Sequence, residues 1–594
     1  MRSLDEMSPP PKRYETFAII SLSAAICILI SIRLHDLLAV AGWVTLMGLW
    51  GWRFATIRGT GVHTRPPKPA AGSLIYLLLV VFAAAAARLY QLTSLPLGAF
   101  VDEIFTLNSS LLLLEKPIDV FGHTLVFSQA WGKDHPNLYL YFNLAVLKLF
   151  GVGYWTTKLL SVIPGIIACG LVFLIAQRLF GRQVALATAL LFAFAHWSIR
   201  LNRYGWDVSI MILTFAAALW LASLALQSGR PLYAYLSGIA AGLGLYSYLA
   251  ARIVALSLLA FWVLEFLLRR DRATRRQAAA FSIGAAAAAF PFLSYYFLEP
   301  GGFWSRSSEV SVFGVDHPFA AIANNILRHA LMFHWTGGTF ARDNVPGLPM
   351  MDVVTGLIFL AGLIVLIRRV QTPIERLLWC TLLLNFAAGV FSASQEGAPY
   401  VYRTASVIVP AFLIVGFGLE WLTEKIGSRG LWAVCGVAVV LNLYLYFGME
   451  ARNIPAMRVM SYEPRLIGLE ISRDLSPVWL VSPDVLRQTE TRPRPGEEYA
   501  ASNPAVLMPP ALTRLAIIDF SGRYDLARTV AQNLEAPRDI HFIEGSSLPK
   551  GPAKIIFKTD DDAVRQEIIK QGASLKEIRN VVGEPLLTVA MIGR

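Results

Sequence analysis

The sequence predicts an all-α polytopic membrane protein of about thirteen transmembrane helices, followed by a small C-terminal extramembrane α/β domain. Three observations lead to this expectation. Hydrophobic residues make up 55% of the 594 residues and charged residues 15%, and the mean hydropathy is +0.54, far from the averages of soluble proteins. Apolar segments long enough to cross a bilayer recur up to residue 448. From residue 449 onward the chain becomes charged and contains short strand-like runs.

Each expected span is an apolar segment bounded by polar or charged residues. In chain order the spans are 17–34, 37–54, 73–91, 156–179, 184–199, 207–227, 232–249, 251–268, 277–298, 353–368, 376–394, 403–422 and 430–448. The apolar stretch 137–151 would form a helix of only about 22 Å, whereas the hydrocarbon core is roughly 30 Å thick. We therefore expect it to lie along the membrane as an amphipathic helix.

The positions of Lys and Arg support this topology. If 137–151 does not cross, the main basic clusters share one side, which the positive-inside rule makes cytoplasmic. These clusters are Arg178 with Arg182, Arg269 to Arg276, Arg368 with Arg369 and Arg376, and Lys425 with Arg429. The protein is thus expected to be a multi-pass protein of the inner (plasma) membrane, with a cytoplasmic N-terminus and a periplasmic or extracellular C-terminal domain.

Three regions follow from this pattern. Residues 1–72 form a cytoplasmic tail and an extra transmembrane hairpin, which we interpret as an uncleaved anchor because no small-residue cleavage site follows the first span. Residues 73–448 form a transmembrane catalytic domain with outer loops 92–155 and 299–352. Residues 449–594 form the α/β domain. Its strand-like runs are Val478 to Val481, Leu515 to Ile518, Lys554 to Phe557 and Leu586 to Ala590.

Composition also excludes several classes of site. All four cysteines lie within apolar spans, so neither a disulfide framework nor a cysteine-based zinc site is expected. The formal net charge of +12 comes from residues that punctuate spans, not from a basic stripe with interleaved aromatics. Nucleic acid is therefore not an expected partner, whereas the lipid bilayer is.

An acidic pair marks the candidate reactive centre. Asp102 and Glu103 follow Arg88, which ends a span, and a turn at 95–98 that contains Pro and Gly. The pair could cap a helix, because acids favour first turns, and it could also act on a substrate. Both interpretations can hold together.

Other polar residues at the ends of spans share the outer face with this pair. Charged groups near lipid cost about 2.5–3.5 kcal/mol each at mid-membrane, so they need a cavity, a partner or a headgroup. The set is Arg88, Asp102, Glu103, Lys133, Asp134, His135, Arg200, Arg203, Asp207, Tyr246, Tyr248, Arg252, Arg342, Asp343, Asn344, Glu396 and Arg403. Carboxylates can take a proton from an attacking hydroxyl, while Arg and Lys can neutralise a phosphate leaving group. A lipid-phosphate sugar donor fits both halves.

The motifs in this region resemble those of the C-type (GT-C) integral membrane glycosyltransferases, especially bacterial relatives of protein O-mannosyltransferases and the lipid A aminoarabinose transferase. The resemblance covers most of 73–425. Its motifs are Arg88 with Leu95-Pro96 and Asp102-Glu103, Asp134 to Tyr139, Leu179 to Arg182, Arg200 to Arg203 with Asp207, Gly244 to Arg252, Asn344 to Pro349 with Asp352, and Glu396 to Tyr400 with Arg403.

The resemblance implies transfer of a sugar from a polyprenyl-phosphate donor to a hydroxyl on a protein, lipid or glycan, with inversion at the anomeric carbon. Asp102 would be the base or an acceptor contact, and Glu103 would support it. The expected substrate-binding residues are Arg88, Lys133, His135, Arg203, Asp207, Tyr248, Arg252, Asn344 and Arg403.

Several alternatives stay open at this point. Where many relatives have His-Pro-Pro-Leu, this chain has His135-Pro136-Asn137-Leu138, so His135 could simply cap a helix. The span-end arginines Arg252 and Arg403 could reach lipid headgroups, and Arg203 with Asp207 could be a helix-surface pair. No metal is expected as an obligatory cofactor, although a divalent cation could bind the oxygen and nitrogen donors near Asp102.

Two rival functions compete with sugar transfer by a single-sugar donor. A lipid or glycan transporter or flippase would show repeated halves and broken helices that meet at the midplane, and the sequence shows no convincing internal repeat. A transferase of larger lipid-linked glycans would differ only in the size of its substrate.

Overall fold

The protein is described by a computed structural model whose coordinates place most of the helical region and parts of the C-terminal region. The described residues are 11–31, 36–57, 73–100, 102–103, 106–107, 110, 138–151, 154–298, 300–369, 372–394, 397–460, 462, 466, 478–481, 540–543, 553–559, 562–580 and 582–592.

The described part is mostly α-helical. In chain order its helices are α1 (Pro11–Ser31), α2 (Asp36–Ala55), α3 (Ser73–Leu89), α4 (Leu138–Phe150), α5 (Tyr154–Phe180), α6 (Arg182–Phe194), α7 (His196–Leu201), α8 (Val208–Ser228), α9 (Pro231–Gly244), α10 (Ala251–Arg269), α11 (Arg272–Leu298), α12 (Pro300–Glu309), α13 (Pro318–Leu331), α14 (Val353–Arg368), α15 (Pro373–Asn385), α16 (Ala387–Val390), α17 (Ile408–Leu443), α18 (Ile454–Val459) and α19 (Asp562–Lys570). A π-helical segment, Tyr444–Met449, continues α17.

Five helical stretches of the described residues are long and apolar enough to cross a membrane: Trp155–Phe180, Val208–Ser228, Ala251–Arg269, Arg272–Ser294 and Ala405–Arg452. Shorter apolar helices accompany them, namely Ser73–Leu89, Tyr139–Phe150, Arg182–Phe194 and Val353–Arg368. The mostly helical membrane architecture is therefore confirmed, whereas the count of about thirteen spans stays a prediction.

Three expected spans differ in detail from the helices that form. The segment 184–199 is interrupted at Ala195, whose backbone is extended (φ −54°, ψ 127°), so α6 ends there and the short α7 begins. The segments 403–422 and 430–448 are joined in α17, which is kinked at Gly427 with φ 67°. That positive φ suits glycine because it has no Cβ.

Local sequence explains where other helices begin. Asp352 caps α14 by accepting hydrogen bonds from Val354 N at 3.0 Å and Thr355 N at 3.1 Å. Thr372 and Glu375 form a capping box at the start of α15, and Pro373 occupies its first turn. Each device satisfies backbone N–H groups that a helix start leaves unpaired.

The helices pack closely where small residues meet. A Cβ on Gly238 of α9 would lie 2.0 Å from Phe281 O, and one on Gly284 of α11 would lie 2.1 Å from Tyr235 O. Glycines at a helix contact let two backbones approach, as is typical of membrane helix packing. The α9–α11 pair is therefore fixed by its glycines.

A five-stranded sheet lies near the C-terminus. Its strands are β1 (Val478–Val481), β2 (Ile540–Ile543), β3 (Ala553–Lys558), β4 (Ser574–Arg579) and β5 (Pro585–Ile592), in the order β2-β1-β3-β5-β4. The β1 strand is parallel to β2 and β3, whereas β5 is antiparallel to β3 and β4. The expected C-terminal sheet is thus confirmed. The predicted strand-like run 515–518 lies outside the described residues.

Candidate active site

The acidic pair lies where a turn meets a helix. Asp102 and Glu103 have helical conformation, and Glu103 N donates to Phe100 O at 3.0 Å. Glu103 Oε1 in turn accepts from Phe100 N at 2.9 Å. The Glu103 carboxylate therefore accepts a backbone N–H of the turn that precedes it, as expected of an acid at a helix start.

A buried lysine completes the surroundings of Glu103. Lys158 of α5 is fully buried, and its Nζ donates to Glu103 Oε2 at 2.5 Å and to Gly98 O at 3.2 Å. Gly205 N donates to the same Oε2 at 2.8 Å. A Cβ at Gly205 would lie 2.3 Å from Thr157 O, so only glycine permits this approach. We call Asp102, Glu103, Lys158 and Gly205 the acid side of the site.

Asp102 is half-buried, next to the fully engaged Glu103. Its backbone carbonyl accepts from Thr106 Oγ1 at 2.8 Å, and Thr106 hydrogen-bonds the Tyr139 hydroxyl. Tyr139 lies within electrostatic range of Asp207 and Asp102. Thr106 therefore connects the segment of the acidic pair to Tyr139 of α4.

A second polar contact fixes α4 to the helix that carries the pair. Asn143 Nδ2 donates to Ser110 Oγ at 2.8 Å, and Ser110 Oγ donates to Thr106 O at 2.7 Å. Tyr139 and Asn143 are four residues apart, as are Thr106 and Ser110, so each pair lies on one helix face. These two contacts set the position of α4 beside Asp102.

Arg88 is fully buried, and protein atoms accept from each of its guanidinium nitrogens. Nε and Nη2 donate to Asn202 Oδ1 at 3.1 and 2.9 Å. Nη2 also donates to Ser198 Oγ at 2.7 Å, and Nη1 donates to Ala193 O at 3.0 Å and Ala84 O at 3.3 Å. The arrangement joins α3 to α6 and α7, and substrate binding by Arg88 stays a prediction.

Arg203 is also fully buried. Its Nη2 donates to Tyr90 O at 2.7 Å and to Leu95 O at 2.8 Å, and its guanidinium lies over the Tyr446 ring at 5.3 Å. It therefore holds the chain that leads from α3 to the acidic pair. Asp207 is buried at the start of α8, so these two residues do not form a helix-surface pair.

Arg342 is surrounded by four aromatic rings, among them Phe100, in the turn before the acid side, and Tyr402. The guanidinium carbon of Arg342 is 4.6 Å from the centre of Phe100, 5.2 Å from Trp206, 4.9 Å from Phe340 and 4.6 Å from Tyr402. Such contacts are favourable cation–π interactions. Because Phe100 lies two residues before Asp102, Arg342 links the segment before α14 to the turn that precedes the acidic pair.

The predicted residue Tyr248 lies beside this cluster, with its ring centre 5.5 Å from that of Trp206. Arg252, four residues later, contacts α12 instead. Its Nη1 donates to Phe303 O at 2.7 Å and to Ser307 Oγ at 3.3 Å. Its guanidinium lies 4.0 Å from the centre of the Phe303 ring. Arg252 therefore connects α10 to α12.

The predicted residue Asn344 is fully buried in the loop before α14. Its Nδ2 donates to Leu348 O at 2.5 Å, and among the described residues no donor reaches its Oδ1. A second network holds the end of this loop. Asn442 Nδ2 donates to Asp352 Oδ2 at 2.6 Å, and Asn442 Oδ1 lies 3.0 Å from His196 Nδ1. The loop is thus fixed at both ends by amide side chains.

Arg403 follows an aromatic loop near α17. Its guanidinium lies over the Tyr400 ring at 4.8 Å, and its buried Nη1 has no hydrogen-bond partner among the described residues. The Tyr402 hydroxyl is likewise buried and without such a partner there. Tyr402 packs on Trp206, with ring centres 4.7 Å apart. We call Tyr400, Tyr402 and Arg403 the arginine side of the site.

His329 of α13 contacts the arginine side through the backbone of Tyr400. Its Nδ1 lies 2.7 Å from Asn325 O, and its Nε2 accepts from Tyr400 N at 3.1 Å. Burial lowers the pKa of His329 to about 4, against a smaller opposite effect of the bond to Asn325 O. Neutral His329 with the proton on Nδ1 satisfies both contacts.

Among the predicted residues, Tyr248 packs on Trp206 and Glu103 binds the backbone of Phe100 and Gly205. Asp102, Asp207 and Arg403 are the chain neighbours of Glu103, Trp206 and Tyr402. Arg88, Arg203 and Asn344 are buried, and Arg252 contacts α12. The predicted residues Lys133 and His135 lie outside the described residues. The described part contains no group of three or more His, Cys, Asp or Glu that could hold a metal ion.

Lys158, Tyr139 and Tyr402 were not predicted as site residues, and Arg342 was not among the predicted substrate-binding residues. Lys158 is the third residue of the expected span 156–179, which was a usable signal because a charge there needs a partner. No comparable signal marks Tyr402, since tyrosines are common at membrane interfaces.

One stretch of the chain matches a known family model. Residues 134–295 match the family model described as dolichyl-phosphate-mannose-protein mannosyltransferase. No sequence among the curated proteins matches the chain.

Three solved structures that align with this chain all have TM-scores below 0.5. ArnT from Cupriavidus metallidurans bound to undecaprenyl phosphate has a TM-score of 0.47 at 14% identity, over 88% of this chain and 98% of that chain. Arabinosyltransferase EmbB from Mycobacterium smegmatis has a TM-score of 0.42 at 14% identity, over 74% and 45%. The S. cerevisiae protein O-mannosyltransferase Pmt1–Pmt2 complex bound to the sugar donor has a TM-score of 0.31 at 18% identity, over 42% and 36%.

The family segment contains five of the predicted site residues: His135, Arg203, Asp207, Tyr248 and Arg252. The resemblance to protein O-mannosyltransferases that the sequence motifs indicated is therefore confirmed, and it is carried by residues 134–295.

Proposed function

We propose that the protein is a glycosyltransferase that moves a sugar from a polyprenyl-phosphate donor to a hydroxyl acceptor at the outer face of the membrane. The observation that carries this proposal is that two unlike segments, that of the acidic pair and that of Arg403, meet around one aromatic cluster. The acid side offers the half-buried carboxylate of Asp102. The arginine side offers a buried guanidinium nitrogen without a hydrogen-bond partner among the described residues. The family match adds support, because its description names a polyprenyl-phosphate sugar.

The two halves fit the two ends of a displacement at the anomeric carbon. Asp102 takes the proton of the acceptor hydroxyl as its oxygen forms the new bond to that carbon. The bond from the carbon to the phosphate oxygen breaks, and the negative charge on the phosphate is stabilised by Arg403. A single displacement inverts the configuration. Lys133, His135 and Arg252 remain proposed further contacts of the donor.

The aromatic cluster between the halves suits a sugar ring. Tyr248 and Tyr402 both pack on Trp206, and Arg342 lies over the Trp206 and Tyr402 rings. Amphipathic rings of this kind combine packing area with a hydrogen-bonding group. We assign the sugar of the donor to this surface.

The proposed orientation puts this site on the outer side of an inner (plasma) membrane. Glu265, near the end of α10, binds Arg376 Nε at 2.5 Å and Arg269 Nε at 3.1 Å, so two of the basic clusters meet at one face. Arg252, at the start of α10, belongs to the opposite end. By the positive-inside rule the Glu265 end is cytoplasmic. Cysteine labelling of Arg270→Cys and Ser308→Cys in sealed cells tests this, since only Ser308→Cys is expected to react from outside.

The proposed domains follow the same division. Residues 1–72 are an N-terminal tail and hairpin, 73–448 the catalytic membrane domain and 449–594 an extracytoplasmic domain for acceptor docking or structure. The acceptor is a hydroxyl of a protein, lipid or glycan. No metal is proposed as obligatory.

The function is tested in membranes supplied with a polyprenyl-phosphate sugar carrying a radiolabel. Asp102→Asn should lower transfer about 100-fold or more, the usual contribution of a general base, while the protein still purifies as a folded monodisperse species. Near-normal transfer by this variant would exclude Asp102 as the base. Movement of label across sealed vesicles without a new glycosidic bond would point to a transporter instead.

A further inference from the structure

We propose that Lys158 is a positioning residue of this site, and that Glu103 acts by fixing the loop rather than on the substrate, so that Asp102 alone serves as base. This inference deepens the proposed function and rests on it. The sequence places Lys158 inside an apolar helix and gives it no role. Its contacts in the structure supply one.

The Lys158–Glu103 pair joins three separate segments. Lys158 belongs to α5 and also binds Gly98 O, in the turn before the acidic pair, at 3.2 Å. Glu103 accepts from Phe100 N of that turn at 2.9 Å and from Gly205 N, before α8, at 2.8 Å. One ion pair therefore sets the turn, α5 and the start of α8 relative to one another.

Both members of the pair are removed from solvent. Lys158 is 0% and Glu103 2% exposed, and charges this deeply buried persist only when they are paired and hydrogen-bonded. Both carboxylate oxygens of Glu103 are engaged by protein donors. A proton from an acceptor hydroxyl would have to displace one of those donors, and the acceptor would have to enter a closed space.

Asp102 is less deeply buried than Glu103. It is half-buried, and it directly precedes Glu103 in the chain. Because consecutive Cα atoms are about 3.8 Å apart, fixing the backbone of Glu103 also fixes that of Asp102. The carbonyl of Asp102 is held in addition by Thr106 at 2.8 Å. We therefore assign the fixing of the loop to Glu103 and the removal of the acceptor proton to Asp102.

The close approach of Gly205 strengthens this assignment. The peptide that donates to Glu103 Oε2 passes so near Thr157 O that a Cβ would overlap it at 2.3 Å. Thr157 is the residue before Lys158, so the 203–207 turn is pressed against the same point of α5 that carries the lysine. The carboxylate of Glu103 is thus the centre of a packed contact.

The test compares single and paired neutral substitutions. Lys158→Met leaves Glu103 buried without its cation, and we expect kcat to fall about 100-fold, the effect of a displaced catalytic group, with the KM for a polyprenyl-phosphate sugar changed less than about threefold. In the double variant Lys158→Met with Glu103→Gln no unpaired charge remains, and kcat should recover at least tenfold over Lys158→Met. Lys148→Met, at an exposed lysine of α4, is the matched control and should resemble the wild type.

A further readout separates positioning from a loss of folding. The acidic limb of the kcat–pH profile should be the same in the double variant and in the wild type, since Asp102 is untouched. If the double variant does not purify as a folded protein, Glu103→Gln alone serves in its place, and its transfer should exceed that of Asp102→Asn at least tenfold.

The outcomes distinguish the two claims. A folded double variant, or a folded Glu103→Gln, that is as inactive as Asp102→Asn would make Glu103 a catalytic residue and overturn this inference while leaving sugar transfer intact. No use of polyprenyl-phosphate sugars by the wild type would instead overturn the proposed function. Full activity of Lys158→Met would show that the pair does not position the site.

Discussion

The two sides of the candidate site differ in how completely the protein satisfies its own polar groups. On the acid side, Glu103 receives three hydrogen bonds and Lys158 gives two, all within the fold. On the arginine side, Arg403 Nη1 and the Tyr402 hydroxyl are buried without a hydrogen-bond partner among the described residues. Buried polar atoms are normally paired. The difference indicates that the acid side is prearranged, and under the proposed function the donor phosphate would complete the arginine side.

Arg88 is the contrasting case among the arginines. Its guanidinium is fully enclosed and bonded to Asn202, Ser198 and two carbonyl oxygens. Arg403 stacks on Tyr400, and its Nη1 has no hydrogen-bond partner among the described residues, as is also true of the Nε atoms of Arg200 and Arg203. Arg88 therefore supports the fold, and we propose Arg403 as a ligand of an anion.

The largest expected effect comes from breaking the acid side. Lys158→Met should lower the free energy of unfolding by about 3–5 kcal/mol, because it leaves a buried carboxylate without its cation. Thermal unfolding in detergent, followed by intrinsic fluorescence, measures the change against Lys148→Met. A loss below about 1 kcal/mol would mean that the acid side is not fixed by this pair.

The arginine side should respond in affinity and not in stability. Arg403→Gln removes the charge, and we expect the KM for a polyprenyl-phosphate sugar to rise about tenfold or more, as for the loss of a hydrogen bond to a charged group worth about 1.5–3 kcal/mol. The melting temperature should stay close to that of the wild type. A marked fall in melting temperature with an unchanged KM would place Arg403 with Arg88 as a structural residue.

A pH-dependent contribution is expected from His329, which holds Tyr400. Its pKa of about 4 in the folded protein lies below the value near 6.5 of an unfolded chain. The unfolded state therefore binds the proton first as pH falls, so stability present above pH 6.5 is lost between about 6.5 and 4, by about 2 kcal/mol at pH 5.

The comparison for His329 uses a side chain that keeps a donor and an acceptor but does not titrate. His329→Gln should lose less stability than the wild type between pH 7.5 and pH 5, as measured by thermal unfolding at both values. Equal losses in the two proteins would show that His329 is already protonated or exchanges freely with solvent.

The smallest effect serves as a baseline for the others. Arg306 of α12 pairs with Glu309 at 3.0 Å, and the two side chains are 41% and 59% exposed. Exposed pairs contribute about 0.2–1 kcal/mol, so Arg306→Gln should change unfolding by less than about 1 kcal/mol and leave transfer unaffected. A larger effect would mean that burial does not explain the different contributions of the Lys158–Glu103 and Arg306–Glu309 pairs.

Much of the architecture could be predicted because lipid imposes strong rules on sequence. Hydrophobic length indicated helices, and the strand-like runs 478–481, 554–557 and 586–590 lie within the strands Val478–Val481, Ala553–Lys558 and Pro585–Ile592. The break at Ala195 and the continuous π-helical end of α17 at Tyr444–Met449 were not predicted. Both depend on contacts with neighbouring helices, which hydropathy does not record.

The candidate site was predictable in part for the same reason. A charge at the end of a span is conspicuous, so Asp102, Glu103 and Arg403 could be selected from the chain. Lys158 could not be assigned a role, because its partner lies 55 positions earlier. The sequence also does not show that Arg88 and Arg403 differ in their hydrogen bonding, since both are span-end arginines.

The sequence by itself determined that this is a helical membrane protein with a charged C-terminal part, and that an acidic pair and several basic residues share one face. It could do so because burying charge and backbone in lipid is costly wherever it occurs. Only the tertiary structure decided which acid is fully buried and which is half-buried, and which arginine has all its nitrogens hydrogen-bonded. Those distinctions depend on distances between segments remote in sequence, such as Lys158 Nζ to Glu103 Oε2 at 2.5 Å, and no local pattern encodes them.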